Sequence, residues 1–192
     1  MSIFLASDHH FFHSNIIKYC SRSFSDAEHM NVEMEKRWND TVKHDDIIVH
    51  VGDLSAGLSG RIEEFSILLK RLHGQKILVM GNHDHQKRDF YIDCGFKKVC
   101  RLHHSQNIMF HHVPPQSFQK HRGFIELYDE LKPRLLVHGH DHGLSPDHVG
   151  QFNCAVDRHD FFPVTLERVL LDTGNVDLTS EAYTTIEEML HL

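Results

Sequence analysis

The feature that most constrains this chain is a recurrence. Short apolar, β-rich runs end, one after another, in side chains able to bind a metal ion. Residues 2–7 read as a short buried strand closing on Asp8, and residues 46–51 as a second closing on Gly52-Asp53. Residues 76–80 close on Gly81-Asn82-His83-Asp84, residues 107–112 on His111-His112, and residues 134–138 on Gly139-His140-Asp141-His142. Helical patterns separate them. Ser25 and Glu28 have the S-x-x-E form of a capping box and mark a helix start. Met30, Met34, Trp38 and Val42 then recur at helical spacing, which reads as core packing. Ser59 is a candidate cap for a helix whose apolar face is Ile62, Phe65, Leu68, Leu69 and Leu72. Helices are also expected over 118–131, 165–171 and 180–190, and further strands over 98–102 and 149–156. Strands joined by helices imply α/β layering with substantial parallel pairing. In such sheets ligands bind in the crevice beyond the carboxyl ends of the strands, where these clusters fall.

A chain of 192 residues suffices for one sizeable core and is short for two, so a single domain over 1–192 is expected. No linker or repeat interrupts it. No apolar run is long enough to span a bilayer. Residues 1–8 turn acidic too early for a signal peptide, which makes a cytoplasmic location the expectation. Cys20, Cys94, Cys100 and Cys154 form no CxxC pair and read as incidental thiols. The formal charge of −7 gives no basic footprint for long nucleic acid. Twenty histidines are the compositional outlier, so isolated D-x-H or H-x-H matches mean little here and only ordered combinations count.

The strand ends supply carboxylate, amide and imidazole donors and no thiolate. That mix suits borderline divalent ions, with Mn foremost and Fe, Ni, Co or Zn as alternatives. One carboxylate among several imidazoles can bridge two metals, the arrangement used for phosphoryl displacement. Adjacent strand residues point to opposite faces, so only one of His111 and His112 is expected to face such a site. His9 and His10 pose the same choice. His13 reads either as a substrate contact or as a helix cap. Arg22 is a candidate phosphate clamp, because a guanidinium bonds phosphate bidentately. Taken singly, Asp53 also reads as a turn or cap residue, and 82–84 as a polar turn.

In order, Asp8-His9-His10, Gly52-Asp53, Gly81-Asn82-His83-Asp84, His112 and Gly139-His140-Asp141-His142 resemble the calcineurin-like metallophosphoesterase signature. The opening stretch, from Ser7 to Phe24, is similar to small bacterial and phage phosphoesterases, with Ser23 where those carry proline. The resemblance implies an α/β/β/α sandwich of two mixed sheets flanked by helices, with a dinuclear metal site at the strand ends. It implies Asp8, His10 and His142 on one metal, Asn82, His112 and His140 on the other, and Asp53 between them. It favours His10 by the D-x-H spacing and His112 by its place two residues before Pro114. It assigns His83 to the leaving oxygen and Asp84 to orienting His83. The implied reaction is hydrolysis of a phosphomonoester or phosphodiester by a metal-activated hydroxide, on a small, nucleotide-type substrate. Ser/Thr protein phosphatases fit less well, since they continue G-D-x-V-D-R-G where this chain has Gly52-Asp53-Leu54-Ser55-Ala56-Gly57. The competing expectations are a nuclease acting on nucleic-acid ends and a non-catalytic metal-binding scaffold.

Overall fold

The computed structural model describes residues 1–117, 122–143 and 148–191. Two mixed sheets lie face to face. The first contains β1 (Ile3–Ala6), β2 (Ile47–His50), β3 (Gln75–Val79), β4 (Phe96–Cys100) and β9 (Val164–Thr165), in the order β4-β3-β2-β1-β9. Its strands β1 to β4 are parallel and β9 runs against β1. The second contains β5 (Leu102–His104), β6 (Ile108–His111), β7 (Leu135–His138) and β8 (Gln151–Asn153), with β6, β7 and β8 parallel.

Side chains alternate across a strand, and the sequence exploits this fully. Ile3, Leu5, Ile47, Val49, Ile77 and Val79 point inward, against Ile108, Phe110, Leu135 and Val137 of the second sheet. Phe4, Ala6, Ile48 and Leu78 point outward, under the helices. A strand buried on both faces needs an uninterrupted apolar run, which is why β1 to β3 show no polar alternation.

Three helices cover the outer face of the first sheet: α1 (Ser14–Tyr19), α2 (Ala27–Thr41) and α3 (Ile62–Arg71), with α4 (Arg88–Asp93) beside β4. Met30, Met34, Trp38 and Val42 are fully buried there, as their spacing predicts. Helix α5 (Arg122–Leu131) precedes β7. Helices α6 (Leu166–Asp172) and α7 (Thr179–His191) feed Val169, Leu170, Ala182, Ile186 and Met189 into the core between the sheets. The layered α/β sandwich expected from the sequence is the fold observed.

Several local expectations need correction. The cap of α2 is Asp26, whose carboxylate accepts from the His29 N–H at 2.7 Å, so Ser25 lies one residue outside the helix. Asp26 accepts with a charged oxygen, a stronger cap than the neighbouring hydroxyl. Ser59 caps nothing: α3 starts at Ile62, with Arg61 in the capping position. The strand expected over 98–102 is divided between β4 and β5, which belong to different sheets. The strand expected over 149–156 contracts to β8, and β9 and α4 lack any clear signal in the sequence. Residues 118–121 of the helix expected over 118–131 lie outside the described residues.

Trp38 is the largest fully buried side chain, and its Nε1 donates to the His73 carbonyl at 3.0 Å. Replacing it removes both the packing and a partner for that carbonyl. Trp38→Ala is expected to destabilise the fold by about 3–5 kcal/mol, read as a lowered midpoint in urea unfolding followed by circular dichroism.

Candidate metal centre

Parallel register sets the level of the site. Ala6 pairs with His50, and His50 with Leu78, so Asp8, Asp53 and Asn82 emerge at the same edge of the first sheet. Phe110 pairs with Val137 in the second sheet, so His112, His140 and His142 emerge at the same end. The sheets are stitched just below this edge, where Ser7 N–H donates to the Cys154 carbonyl and Val156 N–H to the Ser7 carbonyl.

Two groups of ligand atoms result. Asp8, His10 and His142 form one, and Asp53, His112 and His140 the other, with the atoms of each group within 4.8 Å of one another. Asp53 Oδ2 lies 3.5 Å from His10 Nε2 and 3.2 Å from His112 Nε2, so it stands between the two groups. Asp8 Oδ1 is 3.4 Å from His142 Nε2. Asn82 Oδ1 is 3.0 Å from His140 Nδ1, on the exposed side of the second group. All seven residues singled out as ligands in the sequence are thus brought to one place. His9 and His111 turn away: His9 bonds His50 and stacks on Phe11, and His111 bonds the Val113 carbonyl and stacks on Phe124.

The backbone is unusual at the same residues. Asp8, His10, Asp53, His140 and His142 all have φ between 47° and 73°. Non-glycine residues there cost of order 1–3 kcal/mol each and persist where the surroundings over-determine them. Two glycines make room for the carboxylates. A Cβ on Gly81 would collide with Asp53 Oδ1, and one on Gly139 with Asp8 Oδ2 and Ser7 Oγ.

The donor set fits divalent cations on electrostatic grounds. His112 Nδ1 lies 2.7 Å from the Val51 carbonyl, and His142 Nδ1 lies 2.8 Å from Asp157 Oδ2. Both acceptors lack a proton, so each Nδ1 is the donor. Each Nε2 then presents a lone pair toward a carboxylate unless a cation or proton lies between. His10 Nε2 and His112 Nε2 are buried without a hydrogen-bond partner. Ligands about 2.0–2.2 Å from one metal ion stand roughly 3–3.5 Å apart, which matches these separations. Burial opposes charge on both rings, yet Asp8 and Asp53 hold His112 up to about 9, while Asp157 and Asp8 hold His142 up to about 10. Without a metal, a proton takes the cation's place. Burial pushes His10 down to about 2.

Two residues have roles other than those expected. Arg22 is not free to clamp phosphate. Its Nε and Nη2 bond both oxygens of Asp157 at 2.7 Å, Nη2 also bonds the Asp8 carbonyl, and Nη1 bonds the His9 carbonyl. It is a buried brace beneath the ligand loop. Asp84 does not orient the His83 ring. Its carboxylate accepts from the N–H groups of Asp53, Leu54 and Gly81 at 2.8–3.0 Å. Burial, then the Asp53 charge, pushes it up to about 6, against the pull of those amides. His83 itself is half-buried, with its ring 5.1 Å from that of His10. His13 is also at the site: Nδ1 lies 3.3 Å from His10 Nδ1, and it makes no capping bond.

The sequence reading missed Asp157, which fixes the His142 tautomer as carboxylates commonly do for metal-ligating histidines. It follows β8 with no motif around it, so no local signal marks it. Cys20 lies within 4.8 Å of His142 and Asp157, but both Asp157 oxygens already bond Arg22. We read that cluster as support for His142.

The fold and site define the chain as a two-sheet α/β sandwich with groups of residues able to hold a metal ion at its strand ends. It belongs to the family of MJ1445, an uncharacterized protein of Methanocaldococcus jannaschii: the two are 30% identical over 187 residues, 91% of this chain and 93% of that protein. No protein-family model matches. The structure is similar to that of AQ665, a protein of unknown function from Aquifex aeolicus, with a TM-score of 0.66 and 24% identity over 88% of this chain and 97% of that one. A single-mutant Vps29 from Entamoeba histolytica aligns at a TM-score of 0.41 and 15% identity, over 80% of this chain and 73% of that one. Among the described residues no helix is long and apolar enough to cross a membrane.

Two outcomes are expected from metal titration by calorimetry. Mn²⁺ affinity rises with pH toward about 9 to 10, because uptake must displace protons from His112 and His142. The measured heat then depends on the buffer's ionisation enthalpy. Asp157→Asn lowers affinity roughly 10–100-fold, the usual effect of losing a histidine's supporting carboxylate.

Proposed function

We propose that this protein is a dinuclear, metal-dependent phosphoesterase of the calcineurin-like kind, acting on a small phosphate ester. The observation that carries the reading is Asp53 Oδ2, placed 3.5 Å from a nitrogen of one ligand group and 3.2 Å from a nitrogen of the other. Asp8, His10 and His142 would hold one cation and Asn82, His112 and His140 a second, with Asp53 available to both. Two divalent cations there supply charge that polarises a phosphoryl group and makes water more acidic.

The chain's own residues do the rest. The His83 main-chain N–H donates to Asp53 Oδ1 at 2.8 Å, which fixes that carboxylate's other oxygen between the groups. The His83 ring, beside His10 at the half-buried rim, is positioned to give a proton to the leaving oxygen. The His13 ring, 6.1 Å from that of His83, lies where it can contact the ester. Asp84 ties the loops after β2 and β3 to each other, and Arg22 with Asp157 holds the loops that carry Asp8 and His142. The buried floor strengthens each of these interactions relative to water.

Metal-stripped protein reconstituted with Mn²⁺ is expected to hydrolyse p-nitrophenyl phosphate or its bis ester, and the ratio of the two rates assigns monoester or diester preference. His83→Ala is expected to lower kcat by about 10²–10⁴ while the bound Mn²⁺ stoichiometry is unchanged. Stoichiometric metal without turnover of either ester would instead favour a non-catalytic scaffold.

A further inference from the structure

Beside the metal-ligand groups lies a second cavity of about 310 Å³, lined by Ser55, Leu58, Ser59, His83, His85 and Gln86 together with Ala56 and Gly57. It is formed by the loop after Asp53 and the loop after Asn82, so the same backbone that places two ligands also shapes its walls. His83 belongs to both spaces. Its ring meets that of His10 edge-on at 5.1 Å, and the residue also lines the cavity. With His83 as the proton donor proposed above, the departing half of a phosphate ester would lie toward this cavity.

Among the described residues, the lining carries no Lys, Arg, Asp or Glu. Arg61, the nearest cation in sequence to Ser59, is committed elsewhere. It bonds Glu28 and Glu64 at 2.7 Å and lies over the Phe12 ring at 4.5 Å. What the cavity offers is hydrogen bonding. Ser55 is 2% exposed and borders the cavity, where its hydroxyl can donate or accept. Ser59, His85 and Gln86 add donors and acceptors, and Leu58 and Ala56 add apolar surface. The volume is at the lower end for small-molecule sites, enough for one ring-sized group.

We propose that this cavity is the leaving-group pocket, and that it selects esters whose alcohol is uncharged, hydroxyl-bearing and of sugar or nucleoside size. The proposal rests on the phosphoesterase reading given above. It selects against a polynucleotide or polyphosphate as the departing group, because the described lining offers such an anion no Lys or Arg.

Ser59 is exposed and binds no metal, so variants at this position test the pocket without disturbing the fold. Adenosine alone serves as the probe in saturation-transfer NMR. It is expected to contact the native protein and to lose that contact in Ser59→Trp, which fills the cavity. With Mn²⁺ present, the native protein is expected to prefer a nucleoside 5′-monophosphate over a 5′-phosphorylated dinucleotide by about tenfold or more in kcat/KM. Ser59→Lys is expected to shift that ratio toward the dinucleotide by about tenfold, as one nearby charge of modest screening would. Loss of adenosine contact in Ser59→Trp without any esterase turnover would sink the phosphoesterase reading and leave the pocket standing. Turnover of p-nitrophenyl phosphate with no adenosine contact, or with a ratio that Ser59→Lys leaves unmoved, would overturn the pocket.

Discussion

The structure depends on the face-to-face packing of two sheets whose parallel strands end at the same level. That arrangement forces polar loop residues from both sheets into one crevice. The first sheet contributes the oxygen donors Asp8, Asp53 and Asn82 together with His10, and the second contributes His112, His140 and His142. Neither sheet alone holds either ligand group complete. The apolar faces below bring the sheets together, and the crevice above inherits buried carboxylates that demand counter-charge.

Much of the remaining polar interior answers that demand. Asp8 accepts from the His140 N–H and from Ser7 Oγ, and Asp53 accepts from the His83 N–H. Arg22 and Asp84 belong to the same support. Arg22 spends its guanidinium on Asp157 and on the carbonyls of the Asp8 loop. Asp84 spends its carboxylate on amides from two strand-end loops. Both are charged residues used as internal braces, although from sequence Arg22 reads as a phosphate clamp and Asp84 as the residue that orients His83. A buried charge must be bonded on every side, and the groups that bond Arg22 are distant in sequence. The clearest is Asp157, which lies 135 residues from it.

The local signals that held and failed follow the same division. Buried strands with apolar residues on both faces announce themselves by composition, and the stripe from Met30 to Val42 announces a helix by period. Helix starts were less secure, because Ser25 and Asp26 compete for one cap and the carboxylate wins. The stretch around Arg101 reads as one strand, yet the chain there changes sheets. Only the pairing partners, β3 for one half and β6 for the other, reveal the break.

By itself the sequence determined the order of strands and the chemistry at their ends: Asp8, His10, Asp53, Asn82, His112, His140 and His142 were legible because each follows an apolar run or a glycine-led turn. Tertiary structure decided which of those atoms face each other, that Asp53 stands between two groups, that Arg22 bonds Asp157 and Asp157 bonds His142, and that Asp84 bonds amides of the loops after β2 and β3. It also decided that His83 lies beside His10 and lines a neighbouring cavity. The reason is physical. Strand patterning is a property of consecutive residues, whereas the meeting of lone pairs, charges and cavities depends on how two sheets settle against each other.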